Sequence, residues 1–307
     1  MCVFVTGATG FIGSAIVQEL IKAGHEVIGL ARSDAAAKSL AAAGAKVYRG
    51  DLQDLEGLRA GASAADGVIH TGFNHDFSKF NENCENERKT VEALGSALAG
   101  SDRPLIITSG IGLLPPGQLA TEQTMPASPN PNPRVASEEA ARAAAARGVR
   151  VSIVRLPPSV HGDGDHGFVP ILINMARQKG ASAFIGEGLN RWPAVHRLDA
   201  AHLFRLALEK GAASAWYHGV AEKGVAFRQI AEVIGRSLKV PVVSKTPEEA
   251  AQHFTWFAHF AAMDVPASSK QTQQNLGWRP TQPGLLADLG RPSYFEADFR
   301  AESPSKN

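Results

Sequence analysis

The sequence predicts an α/β fold in which a doubly wound parallel sheet of Rossmann type carries helices on both faces and a smaller C-terminal lobe sits over one edge. Three observations carry that expectation. Short β-branched runs alternate with alanine-rich stretches of helical period as far as Arg155. These strands are close to continuously apolar, as strands buried on both faces are. A turn with evenly spaced glycines, Gly7, Gly10 and Gly13, lies directly between the first strand and the first helix.

Taken in order, strands are expected at 2–6, 26–31, 46–49, 67–71, 104–109 and 151–155, with helices between them such as 13–23 and 134–147. Residues 120–133 are rich in Pro, Asn, Ser and Thr and read as a loop. Beyond Asp165 the rhythm loosens into helices at 168–179, 199–210, 227–238 and 247–262, with short strands between. This divides the chain into a nucleotide-binding domain over 1–165, to which 196–220 returns, and a smaller substrate lobe from 166–195 and 221–290. Residues 291–307 read as a mobile tail.

A chain of 307 residues, 44% hydrophobic and 20% charged, can bury a full core. The net charge of +1 and the lack of any long lysine and arginine run argue against a nucleic acid or an anionic membrane as partner. A small molecule is the expected ligand. Cys2 and Cys84 stand far apart with no Cys/His cluster, which supports neither a disulfide framework nor a metal site. No cleavable leader and no bilayer-length apolar run is present, so a soluble, cytoplasmic protein is expected.

The glycine turn carries the strongest functional signal. Glycines let the turn tighten and bring a helix N-terminus, with its free N–H groups and positive dipole end, up to a pyrophosphate. The alternative, a turn that merely needed room, is disfavoured because strand, helix and next strand all fall in place. At the end of the second strand, where an acidic residue would hold the ribose hydroxyls of NAD, stand Arg32 and Ser33. Arg32 can pair with a 2′-phosphate, which favours NADP over NAD, although Asp34 nearby blunts the argument.

From "TGATGFIG" at Thr6 to "NLGWRPT" ending at Thr281, the chain resembles the extended branch of the short-chain dehydrogenase/reductase superfamily. The resemblance implies a cofactor held by Gly7, Thr9, Gly10, Phe11, Ile12 and Gly13 at the first turn. "RGDLQD" would place Asp51 and Leu52 beside the adenine, and "VIHTGF" would run Thr71, Gly72 and Phe73 along the cofactor. Thr108 in "IITSGIG", and Pro157, Pro158 and Val160 in "RLPPSVHGDGD", would approach the nicotinamide end. The same resemblance implies a homodimer.

Members of this family normally carry a Tyr-x-x-x-Lys pair, which this chain lacks. Counting back from Arg155 places Arg134 at the lysine position and Asn130 at the tyrosine position. Arginine can still donate to ribose hydroxyls, but asparagine has no proton to give. The resemblance puts Ser109 near the position of the catalytic serine, where it either binds a substrate oxygen or caps backbone. Histidine is the natural substitute acid. His75, beside Asp76, and His161, where a tyrosine is usual, are the candidates, each with a plain structural alternative. Trp192, Phe168 and the aromatic stretch 253–263 either wall a substrate cleft or form a core face.

The expectation is an NADP(H)-dependent oxidoreductase passing hydride to a small carbonyl, imine or conjugated double bond. Two alternatives stand beside it: a non-catalytic NADP(H)-binding sensor or scaffold, and a nucleotide-sugar epimerase or dehydratase.

Overall fold

The computed structural model describes residues 1–296. Strands β1 (Cys2–Thr6), β2 (Glu26–Ala31), β3 (Lys46–Arg49), β4 (Gly67–His70), β5 (Leu105–Gly110) and β6 (Val151–Leu156) alternate with helices. These are α1 (Phe11–Lys22), α2 (Asp34–Ala42), α3 (Leu55–Ser63), α4 (Phe80–Leu98) and α5 (Ala136–Ala146). The expected helix at 134–147 therefore begins later, after a 3-10 turn at Pro133–Val135 that Asn132 caps by accepting from the Arg134 N–H at 3.0 Å.

The chain crosses next through β7 (Ser159–His161), α6 (Phe168–Lys179), β8 (Ser182–Ile185) and β9 (Arg191–His196). It returns to the first sheet through α7 (Arg197–Lys210) and β10 (Ala215–His218), then leaves again through β11 (Glu222–Ala226), α8 (Phe227–Leu238), β12 (Val242–Lys245) and α9 (Pro247–Phe254).

The main sheet has seven parallel strands in the order β10-β6-β5-β4-β1-β2-β3. Val3 pairs with Val27 on one side and Gly67 on the other, which puts β1 inside the sheet, next to the central strand β4. From β1 the chain winds outward through β2 and β3, then returns to β4 on the far side. That reversal opens a crevice at the C-terminal ends of β1 and β4. Apolar side chains cover both faces: Val3, Val5, Ile16, Phe204 and Leu208 on one, Phe4, Leu58, Leu94 and Ala141 on the other. Each such fully buried large side chain contributes about 1.5–3 kcal/mol relative to exposure.

Over the crevice lies a lobe with a three-stranded sheet, β11-β9-β7, and a parallel pair, β12-β8. Its core packs Trp192, Phe227, Ile230, Phe254 and Phe257. The helix expected at 247–262 is broken here. After α9 comes a 3-10 turn, Thr255–Phe257, then α10 (Ala258–Ala261), with Thr255 at φ 51°. The break turns Phe257 inward, fully buried, and Trp256 outward, 55% exposed.

Helices α11 (Lys270–Leu276), α12 (Leu285–Leu289) and α13 (Ser293–Glu296) complete the described chain. The first residues of the expected tail are docked rather than free: the Tyr294 hydroxyl accepts from the Gly162 N–H at 2.9 Å and stands 3.2 Å from Asp288 and 3.3 Å from Asp165. The rest of that tail, 297–307, lies outside the described residues.

Candidate active site

At the end of β1 the backbone turns through Gly7 at φ +65°, where a Cβ would lie 2.6 Å from the Gly72 nitrogen at the end of β4. A Cβ on Gly13 would collide with the Gly7 carbonyl oxygen. Only glycines allow this close approach of turn, helix and neighbouring strand. Gly10 caps α1 without a side chain, so the N–H groups of the first helical turn are left for an anion. Residues and geometry thus fit a bound dinucleotide pyrophosphate.

The turn opens into a cleft of about 1200 Å³, which runs from Arg32 and Ser33 past the glycines to His75, Phe77, Phe168 and Ile171. Its size exceeds the ~300–1,000 Å³ of common ligand pockets, leaving room for substrate beside cofactor. Gly7, Thr9, Gly10, Phe11, Ile12, Gly13, Asp51, Leu52, Thr71, Gly72, Phe73, Pro158 and Val160 line it as well.

Arg32 stands exposed at the outer end. Asp34, which weakened the sequence argument for a 2′-phosphate, forms an ion pair with Arg49 instead. Ser33 accepts from the Ala36 N–H at 3.2 Å and caps α2, while Asp51 accepts from the Gln53 N–H at 2.9 Å.

A buried polar chain that sequence reading missed runs inward from Glu87, which lines the cleft. The Thr6 hydroxyl and His70 Nδ1 are 2.5 Å apart, His70 Nε2 lies 3.2 Å from Glu87, and Arg134 lies 3.3 Å from the same Glu87 oxygen. The His70 to Glu87 contact is close enough for charge attraction but poorly aligned as a hydrogen bond. Burial pushes the Glu87 carboxyl up, yet His70 and Arg134 outweigh it and hold the group below the ordinary glutamate value. Arg134 is stacked 4.3 Å over the Phe73 ring. It stands behind Phe73, outside the residues that line the cleft, with its charge shared with Glu87.

Several expected site residues do not reach the cleft. Asn130 donates to the Leu113 carbonyl at 3.1 Å and accepts from the Asn132 N–H at 2.9 Å, so its amide shapes a turn. Ser109 is buried and donates to Glu138 at 2.6 Å, joining the Glu138–Arg155 ion pair. Thr108 donates to the His70 carbonyl at 2.9 Å. Pro157 and His161 point away from neighbours that do line the cleft, as alternation along an extended chain requires. His161 is 1% exposed, with Nδ1 2.8 Å from Asp288.

His75 does line the cleft, its ring edge-on to Phe73 at 5.2 Å. Its surface is open to the cleft while protein crowds the other sides. That crowding, with the Arg134 charge, holds its pKa below the usual histidine value. Asp165 is the ionisable group sequence reading passed over. It lines the cleft at 5% exposure, and burial pushes its carboxyl up to about 7. The repeated glycines around it, "HGDGDHGF", were visible, but nothing local marks the side chain as buried.

Among the described residues, no helix is long and apolar enough to cross a membrane. A model of the NAD dependent epimerase/dehydratase family matches residues 3–218. An uncharacterised protein of Schizosaccharomyces pombe is 52% identical over 296 residues, covering 96% of this chain and 100% of its own. One of Saccharomyces cerevisiae, also uncharacterised, is 50% identical over 94% of this chain and 98% of its own. Among solved structures, dTDP-glucose 4,6-dehydratase of Streptomyces venezuelae, with NAD bound, superposes with a TM-score of 0.76 at 21% identity, covering 96% and 97% of the two chains. At that identity the likeness concerns the fold.

Proposed function

The chain belongs to the NAD-dependent epimerase/dehydratase family, in the extended short-chain dehydrogenase/reductase superfamily, and from that premise we propose an NADP(H)-dependent reductase acting on a small carbonyl, imine or conjugated double bond. The observation that carries the reading is one uninterrupted cleft with Arg32 at its outer end and His75, Asp165 and Phe168 at its inner end. The bound cofactor would supply the hydride; binding, orientation and proton supply fall to this chain.

Arg32 would pair with the 2′-phosphate, and the first turn of α1 would hold the pyrophosphate. Arg134, fixed by Glu87, would donate to the nicotinamide ribose hydroxyls from behind Phe73. With Asn130 turned to backbone, no proton comes from the usual tyrosine position. His75, with its lowered pKa, is neutral near pH 7 and serves as an acceptor. Asp165, with a pKa of about 7, retains a proton near neutrality and is the better donor on the cleft wall.

Nucleotide-sugar chemistry is less well supported, because among the described lining residues Arg32 is the only arginine or lysine. The occupied Asn130 amide favours one second reading, a binding protein without turnover.

The test is NADPH oxidation by wild type and Arg134→Ala over aldehydes, ketones, enones and cyclic imines between about pH 5 and 9. Wild-type turnover is expected, with NADPH affinity in Arg134→Ala weakened about tenfold or more, as loss of charged hydrogen bonds costs ~1.5–3 kcal/mol. Tight NADPH binding with no oxidation across the panel would discard the reductase in favour of the sensor.

A further inference from the structure

The inner end of the cleft is walled by rings from both lobes. Phe73, His75 and Phe77 come from the segment after β4; Phe168 opens α6. Phe77 and Trp256 are large apolar side chains left 41% and 55% exposed. They pack on each other beside the cleft, which Phe77 lines, with ring centroids 5.8 Å apart and planes 34° from parallel. Phe260 links them to the interior, 6.2 Å from Phe77 and 4.6 Å from Phe168.

Exposing such surface costs stability, and contiguous exposed apolar patches mark binding sites. Phe77 sits on the 3-10 turn Phe77–Lys79, and Trp256 on the 3-10 turn that breaks the expected helix. Both rings are thus presented by short irregular segments rather than buried by regular ones. Aromatic faces select flat, polarisable partners, since offset stacking adds to plain burial. Of the basic groups near this end, Arg134 is engaged by Glu87, and Lys79 ends the turn that carries Phe77.

We propose that Phe77 and Trp256, packed on each other, form an aromatic platform at the inner end of the cleft whose exposed faces select a flat aromatic group on the substrate, with the reducible carbon directed inward past Phe73 and Phe168. The platform rests on the reductase reading for its purpose but not for its binding preference.

The experiment is calorimetric titration of the protein loaded with NADP⁺, which prevents reduction, using 2-naphthaldehyde and its saturated counterpart decahydronaphthalene-2-carbaldehyde. Wild type should bind the flat ligand several-fold more tightly. Phe77→Leu and Trp256→Leu keep an apolar side chain but remove a ring face, and each should reduce that preference about two- to tenfold. Equal affinity for both ligands in wild type overturns the platform. So does a change in the oligomeric mass of the leucine variants with the preference intact, which would assign the rings to contact with a second copy. NADPH oxidation measured on the same aldehydes reports on the reductase reading separately, because the preference is read without turnover.

Discussion

Arg32 has a 2′-phosphate within its competence only if no nearby carboxylate neutralises it, and the ion pair of Asp34 with Arg49 removes that competitor. Arg32→Ala should therefore weaken NADPH binding by about five- to thirtyfold, the ~1–2 kcal/mol of an exposed charge-assisted contact, and leave NADH nearly unchanged. Fluorescence titration with both cofactors measures this, and equal losses would return Arg32 to the solvated surface. Arg32 was legible in sequence because it follows the second strand directly. Glu87 was not. Its partners come from β4 and from the turn before α5, and Thr6 and His70 are 64 positions apart. A buried glutamate in a polar helix carries no local mark, so that chain appears only when the strands are set side by side.

Helix α5 shows how an element is fixed to the sheet by charge as well as by alanine packing. Glu138, from its first turn, receives two hydrogen bonds from Arg155 on β6, both at 2.8 Å, and one from Ser109 on β5. Arg155 is fully buried, so its charge relies on this carboxylate. Glu138→Gln should cost roughly 3–5 kcal/mol by leaving a buried guanidinium unpaired. Ser109→Ala should cost about 1.5–3 kcal/mol, the worth of a hydrogen bond to a charged group, with NADPH affinity untouched. Urea midpoints and cofactor titration test the pair; weakened cofactor binding in Ser109→Ala would restore a site role to that serine. The strands and first helices were legible because their apolar periods are local, and their observed ends differ by a residue or two. The break at Thr255 was not, because aromatic spacing across 253–263 continues a helical pattern that tertiary packing interrupts.

At the scale of the whole molecule, the lobes and the end of the described chain meet around one ionisable cluster. Tyr294 of α13 lies between Asp165 on the cleft wall and Asp288 of α12, and Asp288 also binds His161 and Arg291. Burial first, and the charge of Asp288 after it, raise the Asp165 carboxyl to about 7, although the Gly167 N–H and Tyr294 hydroxyl oppose the rise. Because the folded state holds this proton more tightly than the unfolded chain, Asp165 stabilises the fold fully below the ordinary aspartate value of 3.8. That contribution fades as pH climbs to about 7 and is gone above it. At ~1.4 kcal/mol per tenfold in proton affinity, it amounts to at most roughly 4 kcal/mol. Asp288, whose carboxyl His161 and Arg291 hold low despite burial, acts in the opposite sense and is common to wild type and variant. Asp165→Asn should therefore unfold at a temperature close to that of wild type at about pH 4 and at a higher one at about pH 8. Thermal melts at the two pH values decide it. Parallel pH dependence in both proteins would show that Asp165 is an ordinary ionised carboxylate in the fold, and would remove it as the proton donor on the cleft wall.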